Sequence, residues 1–281
     1  MESDLSQLVR VGKTPLYAGP DVKIIHNTTK SRMETWKKSG SYWYLWDVAP
    51  GRVWRERFMG DPIIAAAVLG LDMELPWQFN GRRNGAVDPD ATCFNPANEI
   101  GGGLSMDVVA GGQDNDYTAI HWGDNYPTDC SYSPHMKVNC ALVQITNVAH
   151  LCGLVDSTRP AANAAFAYPD NGIYFLFDTD NDNDAHLIIR SGGADQSDTN
   201  LGNIIAGTHY SICMRVHDDG ETISAFLDDV LVLDSLDISG VAYAGLRAAQ
   251  LQPYFATVNR AAAQLRQSHL HDFRLVMDAG F

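Results

Sequence analysis

No CxxC pair links any two of the five cysteines, Cys93, Cys130, Cys140, Cys152 and Cys213, and their number is odd. A disulfide framework is therefore excluded as the source of stability and a structural zinc site is disfavoured, so all five are expected as buried free thiols. Long apolar stretches are also missing. The longest, Pro62 to Leu71, is about ten residues, against the ~20 that a membrane-spanning helix needs. The N-terminal segment MESDLSQLVRVGKTPLYAG has no apolar core behind a positive start. That pattern implies no secretory signal and a protein made and kept in a cytoplasm. Positive charge is scarce: 20 Lys and Arg stand against 34 Asp and Glu, a formal charge of −14. Such a chain repels nucleic acid and anionic lipid, so neither is expected as a partner.

What the chain does have divides near residue 70. Residues 1–70 hold a basic patch, TKSRMETWKKSG, with Lys30, Arg32, Lys37 and Lys38 against Glu34 alone. The aromatic run SYWYLWDVAPGRVWRERF follows, with Trp43, Trp46 and Trp54. Together these read as an N-terminal arm, with Trp43, Trp46, Trp54, Lys37 and Lys38 as candidate assembly contacts on a neighbouring subunit. Stacking of the same aromatics on sugar rings is the competing use. A helix fits between Ile63 and Leu71, bracketed by Pro62 and Pro76.

Residues 71–281 read as one β domain. Short runs rich in branched and aromatic residues, such as GIYFLFD, AHLIIR, THYSICMRVH and PYFATV, alternate with turn clusters such as GGQDND, SGGADQSDTN and HDDGE. In THYSICMRVH the residues Tyr210, Ile212, Met214 and Val216 alternate with Ser211, Cys213, Arg215 and His217. That period of two predicts a strand with one face on a core. Roughly ten such strands with almost no helical pattern predict an all-β antiparallel sandwich or jelly roll.

The segments GGGLSMDVVAGGQDNDYTAIHW, MKVNCALVQITNVAHLCGLVDS, THYSICMRVHDDGETISAFLDDVLV and PYFATVNRAAAQLRQSHLHDFRLVMD follow one another in an order that resembles the concanavalin A-like (laminin G-like) jelly roll. The resemblance spans residues 95 to 278 and looks closest to jelly-roll proteins of tailed-bacteriophage virions. It implies a non-enzymatic capsid-decoration, head or fibre component, homo-oligomeric and bound to other virion proteins. A calcium-assisted carbohydrate-binding module is the alternative, and a glycan-degrading enzyme a more distant one. Asp229 stands where the family's turn often has Gly, and Asp tolerates the left-handed conformation required there.

The most conspicuous chemical signal is FDTDNDNDAHLIIR, which places Asp178, Asp180, Asp182 and Asp184 at every second position. They are candidate calcium ligands, since one-three-five spacing is that of a helix-flanked calcium loop. Asn183 stands where that loop needs Gly and Ile189 where it needs Glu, so an outward hairpin tip is the competing reading. His269 and His271 share one strand face, as a metal pair could, but no third histidine or carboxylate lies at the spacing of a cupin-type site, so histidines satisfied by core or solvent are the better reading. Catalytic signatures are missing: Asp72 and Glu74 in LDMELP only approach the paired carboxylates of a glycosidase, and Ser105 in GLSMD lacks the second Gly of a nucleophile elbow. No cofactor is expected, calcium at the aspartate run being the one alternative.

Overall fold

The computed structural model describes residues 13–18, 22–27, 32–39, 42–49, 52–57, 77–82, 93–97, 103–108, 113–122, 128–156, 165–217, 220–261 and 265–277. Strands dominate them. β1 (Lys13–Ala18), β2 (Val22–Asn27), β3 (Arg32–Ser39) and β4 (Tyr42–Ala49) form an antiparallel four-stranded meander in sequence order. Within the N-terminal extension, alternation such as Ile25 and Trp36 buried among more exposed neighbours makes a sheet with one packed face.

β5 (Arg52–Arg57) leaves that meander and pairs with the final strand, so a segment assigned to the arm belongs to the sandwich. The next strands are β6 (Gln78–Arg82), β7 (Phe94–Pro96), β8 (Leu104–Val108), β9 (Tyr117–His121), β10 (His135–Leu142) and β11 (Val148–Asp156). β12 (Gly172–Asp178), β13 (Asp184–Ser191), β14 (Ala194–Asn203), β15 (His209–Val216), β16 (Thr222–Leu227) and β17 (Val230–Asp237) follow. A short helix α1 (Ala244–Ala248), β18 (Leu251–Asn259) and β19 (Arg266–Met277) complete the described elements. The helix expected at Ile63–Leu71 lies outside the described residues.

Two antiparallel sheets make the sandwich. One runs β17-β16-β15-β10-β19-β8-β7, with β5 also on β19; the other runs β14-β13-β12-β11-β18-β9-β6. The twelve-residue β19 accommodates both β8 and β5 on one edge: Arg266–Leu270 pair with β8 and Asp272–Met277 with β5. The all-β sandwich read from the sequence is what forms. The core lies between the sheets, with Met136, Val138, Ile212, Met214 and Leu275 facing Ile120, Leu154, Ile173, Leu187 and Phe255. Trp77, Trp122, Phe255 and Phe273 meet edge-on or tilted at 5.2–6.0 Å between centroids. Aromatic pairs add about 0.5–1.5 kcal/mol each beyond the area they bury.

Two turns show local chemistry at work. Asp228 and Asp229 both adopt positive φ, 49° and 64°, so the β16–β17 hairpin holds Asp in the left-handed region as anticipated. The cluster SGGADQSDTN, predicted as a turn, contains one only at Gly192 and Gly193 (φ 61° and 79°); from Ala194 it is strand β14. Its polarity follows from position: β14 is an edge strand, paired on one side and wet on the other.

The N-terminal sheet lies against the outer face of the sheet that contains β19. Ile25 and Trp36 cluster with Val276, Trp43 packs on that cluster, and the Arg215 guanidinium sits 4.9 Å from the Trp36 ring.

Candidate functional site

The site begins in the β12–β13 hairpin. Asp178 Oδ1 accepts the Asp180 N–H at 3.0 Å, and Asp182 Oδ1 accepts the Asp184 N–H at 2.9 Å. Asx side chains close turns by bonding the backbone two residues on, which is the physical content of the period-two aspartates. The Asp178 carbonyl accepts from Asn181 and Asp182 as well.

Beyond the backbone, Asp178 and Asp180 share Arg260, while Asp182 and Asp184 go to other partners. Asp178 accepts from Arg260 Nε at 3.0 Å and from the Tyr168 hydroxyl. Asp180 lies 3.5 Å from Arg260, Asp182 3.0 Å from His186 Nε2, and Asp184 accepts from Asn200 at 2.8 Å. Among the described residues no three His, Cys, Asp or Glu form a group able to hold a metal ion. The outward tip is also corrected at its first position: Asp178 is buried, because it anchors Arg260 from the end of β18.

That anchor fixes a strap. Residues 165–171 cross the outer face of the seven-stranded sheet, where the Phe166 N–H donates to the Asn115 carbonyl and the Phe166 ring meets Tyr117 at 5.4 Å. Arg260 donates to Asn115, Tyr168 and Asp178 together. Burial, then the hydrogen bond to Asp178, raise the Tyr168 pKa.

Beside the strap lies an open cleft of about 500 Å³, its mouth included. Alternation along β12 and β13 brings Tyr174, Leu176 and Ile188 to its floor and His186 and Arg190 to its wall. β14 contributes Asp195 and Asp198, the hairpin Asn181 and Asp182, and the strap Tyr168. Gly153 makes room on the adjacent strand, where a Cβ would stand 2.4 Å from Tyr174 Cβ and 2.3 Å from the Ile173 carbonyl oxygen.

His186 stands between two carboxylates. Its Nδ1 lies 2.6 Å from Asp198 Oδ1, and its Nε2 faces Asp182 Oδ2. Partial burial works to lower its pKa, but the bonds to Asp198 and Asp182 outweigh it and hold the imidazole above its ordinary value. Arg190 is engaged as well, donating to Asp195 at 2.9 Å and to the Gly193 carbonyl at 2.7 Å. Burial pushes the Tyr174 phenol up.

The remaining candidates lie elsewhere. Trp43 is half-buried within the molecule, with Lys23 Nζ 3.9 Å from its ring centroid; Lys37 is half-buried and Lys38 exposed on β3. Trp46 and Trp54 lie on β4 and β5, their side chains outside the described residues. His269 and His271 meet at 6.3 Å and His209 joins them, its ring 4.5 Å from His271, all in the other sheet. Ser105 donates to Asp107, and Asp72 and Glu74 lie outside the described residues. Sequence reasoning passed over His186, Arg190, Asp195, Asp198 and Tyr168. Only the first two carried a signal, the alternation of His186, Ile188 and Arg190 on one strand face.

No protein-family model and no curated protein matches the sequence. Solved structures do. A family 7 alginate lyase with a Tyr→Phe substitution, in complex with product, is 12% identical with a TM-score of 0.52, covering 78% of this chain and 100% of that one. A glycoside hydrolase family 16 endo-glucanase from Bacteroides ovatus is 10% identical with a TM-score of 0.53, over 79% and 99%. A protein of unknown function from Shewanella oneidensis is 10% identical with a TM-score of 0.53, over 81% and 87%. The fold is the concanavalin A-like jelly roll. The expectation of a non-enzymatic virion component is corrected: the similar sandwiches with named activities are glycan-degrading enzymes, and the phage setting has no counterpart among them.

Proposed function

We propose that the protein is a glycan-degrading enzyme that takes a sugar chain in the cleft over β12–β14, with His186 as its proton-transfer group. The observation that carries this reading is the line Asp198–His186–Asp182 set beside Tyr168 and Tyr174. Hydrolysis of a glycosidic bond needs a proton delivered to the leaving oxygen and a base for the attacking water. Protonated His186, held by Asp198 and Asp182, supplies the first. The C–O bond to the leaving sugar breaks as the water oxygen bonds to the sugar carbon, its proton passing to solvent, because Asp182 stands 3.0 Å from His186 Nε2 and the acid and base of direct hydrolysis stand about 6.5–9.5 Å apart. Tyr168, half-buried beside the cleft, offers a flat ring for a sugar to stack on, whereas Tyr174 is buried. The glycan-degrading activities of the alginate lyase and the endo-glucanase support the choice of substrate.

The test is turnover of a glycan panel read by new reducing ends. The wild type is expected to release them from at least one glycan. His186→Ala is expected to lower the rate by about 10²–10⁴-fold, the range of general acid–base catalysis, with circular dichroism unchanged. Undiminished turnover by His186→Ala, or none by the wild type on any glycan, would overturn the reading.

A further inference from the structure

A second pocket lies behind the cleft, between the two sheets, with a volume of about 400 Å³, its mouth included. His150 from β11 and Phe175 and Phe177 from β12 line it on one side, Leu142 from β10 and Tyr210 and Ile212 from β15 on the other. It divides the main core from a smaller apolar cluster around Val148, Phe177, Ala185 and Ile204. Protein interiors are close-packed, so unfilled space here forfeits dispersion contacts on every wall. Leu142, Tyr210 and Leu227 are half-buried and open the pocket to solvent. Beside them Ile205, 65% exposed, donates its N–H to the Tyr210 hydroxyl.

His150 is 5% exposed, and its Nε2 lies 3.2 Å from the Gln144 carbonyl oxygen, which can only accept. The ring proton therefore sits on Nε2, and Nδ1 is left as an acceptor. Nδ1 is buried without a hydrogen-bond partner among the described residues. Burial lowers the pKa to about 4, so the ring stays neutral and Nδ1 keeps its lone pair across the neutral range. A buried acceptor left unpaired costs stability. A water at this atom would meet mainly apolar side chains, whereas buried waters use ~3 hydrogen bonds. A molecule with an apolar body and one donor satisfies both the space and the atom. The rings of His150, Phe175, Phe177 and Tyr210 favour an aromatic body, which packs edge-on or offset against them.

We propose that this pocket binds a monocyclic phenol, its ring between the sheets against Phe175, Phe177 and Ile212 and its O–H donating to His150 Nδ1. The site is independent of glycan turnover in the cleft on the other face of the sheet.

The experiment is an NMR titration of the full chain with phenol and with toluene, its isostere without the donor. The wild type is expected to bind phenol saturably. His150→Phe keeps the size of the side chain but removes the acceptor, so phenol affinity should fall about tenfold while toluene affinity is unchanged or higher. Ala185→Leu fills the pocket and should abolish binding of both. Thermal melts check that the variants fold, and the wild type alone gives a further readout: the His150 Nδ1 resonance should shift strongly with phenol and little with toluene. No saturable phenol binding by the wild type overturns the proposal. So does a phenol affinity unchanged in folded His150→Phe or Ala185→Leu, or an Nδ1 resonance that phenol leaves in place.

Discussion

At the scale of single residues, environment separates histidines that look alike in sequence. His186 sits among carboxylates, which raise its pKa despite partial burial. A raised folded value means that its contribution to stability is fully present below the unfolded value near 6.5 and is lost as pH rises through the folded value. The melting-temperature difference between wild type and His186→Gln should therefore be larger at about pH 5.5 than at about pH 8.5. Turnover should fall over the same rising limb, since His186 donates its proton. His150 is the opposite case. It is buried, its Nε2 bonds the Gln144 carbonyl, and burial lowers its pKa to about 4. As pH falls from 6.5 towards 4 the unfolded chain takes up a proton that the folded chain refuses, so stability declines. The full effect is about 3 kcal/mol at ~1.4 kcal/mol per pKa unit. Urea unfolding across this range should show the decline, and His150→Phe should flatten it.

At the scale of elements, the β12–β13 hairpin and the strap act as a unit because Arg260 and Asp178 are both buried, their side chains 7% and 2% exposed. Removing one partner leaves an uncompensated charge. Arg260→Leu should cost about 3–5 kcal/mol in urea unfolding, and adding Asp178→Asn should recover part of the loss. Gly153→Ala should be similarly disruptive, since its Cβ would collide with backbone of β12 where neither strand can shift alone. Much at this scale was legible beforehand. GIYFLFD and AHLIIR became strands as short continuous runs of branched and aromatic residues, and THYSICMRVH because its large apolar residues recur at period two. SGGADQSDTN misled for a physical reason: an edge strand needs little apolar surface, so its composition matches that of a loop. The aspartate run was legible as a hairpin, yet the burial of Asp178 was not, because its partner Arg260 is 82 residues away.

At the scale of the whole molecule, the N-terminal meander is joined to the sandwich by a small apolar contact centred on Ile25, Trp36 and Val276. Truncating Trp36 to Ala should cost about 3–5 kcal/mol if the two parts unfold together. Equilibrium unfolding followed by separate probes should then show one coincident transition, shifted to lower denaturant in the variant. The amino-acid sequence by itself determined the fold class, the rough strand positions and the thiol state expected of the five cysteines, all of which are free and buried. These follow from local alternation, turn chemistry and composition, which need no knowledge of distant neighbours. Only the tertiary structure decided that β1–β4 form a sheet of their own, that Asp178 faces inward, and that the cleft is shared by His186, Asp182, Asp198 and Tyr168. Strand pairing and the crossing strap bring these groups together from separate parts of the chain, and no local pattern encodes which side chains will meet across a sheet.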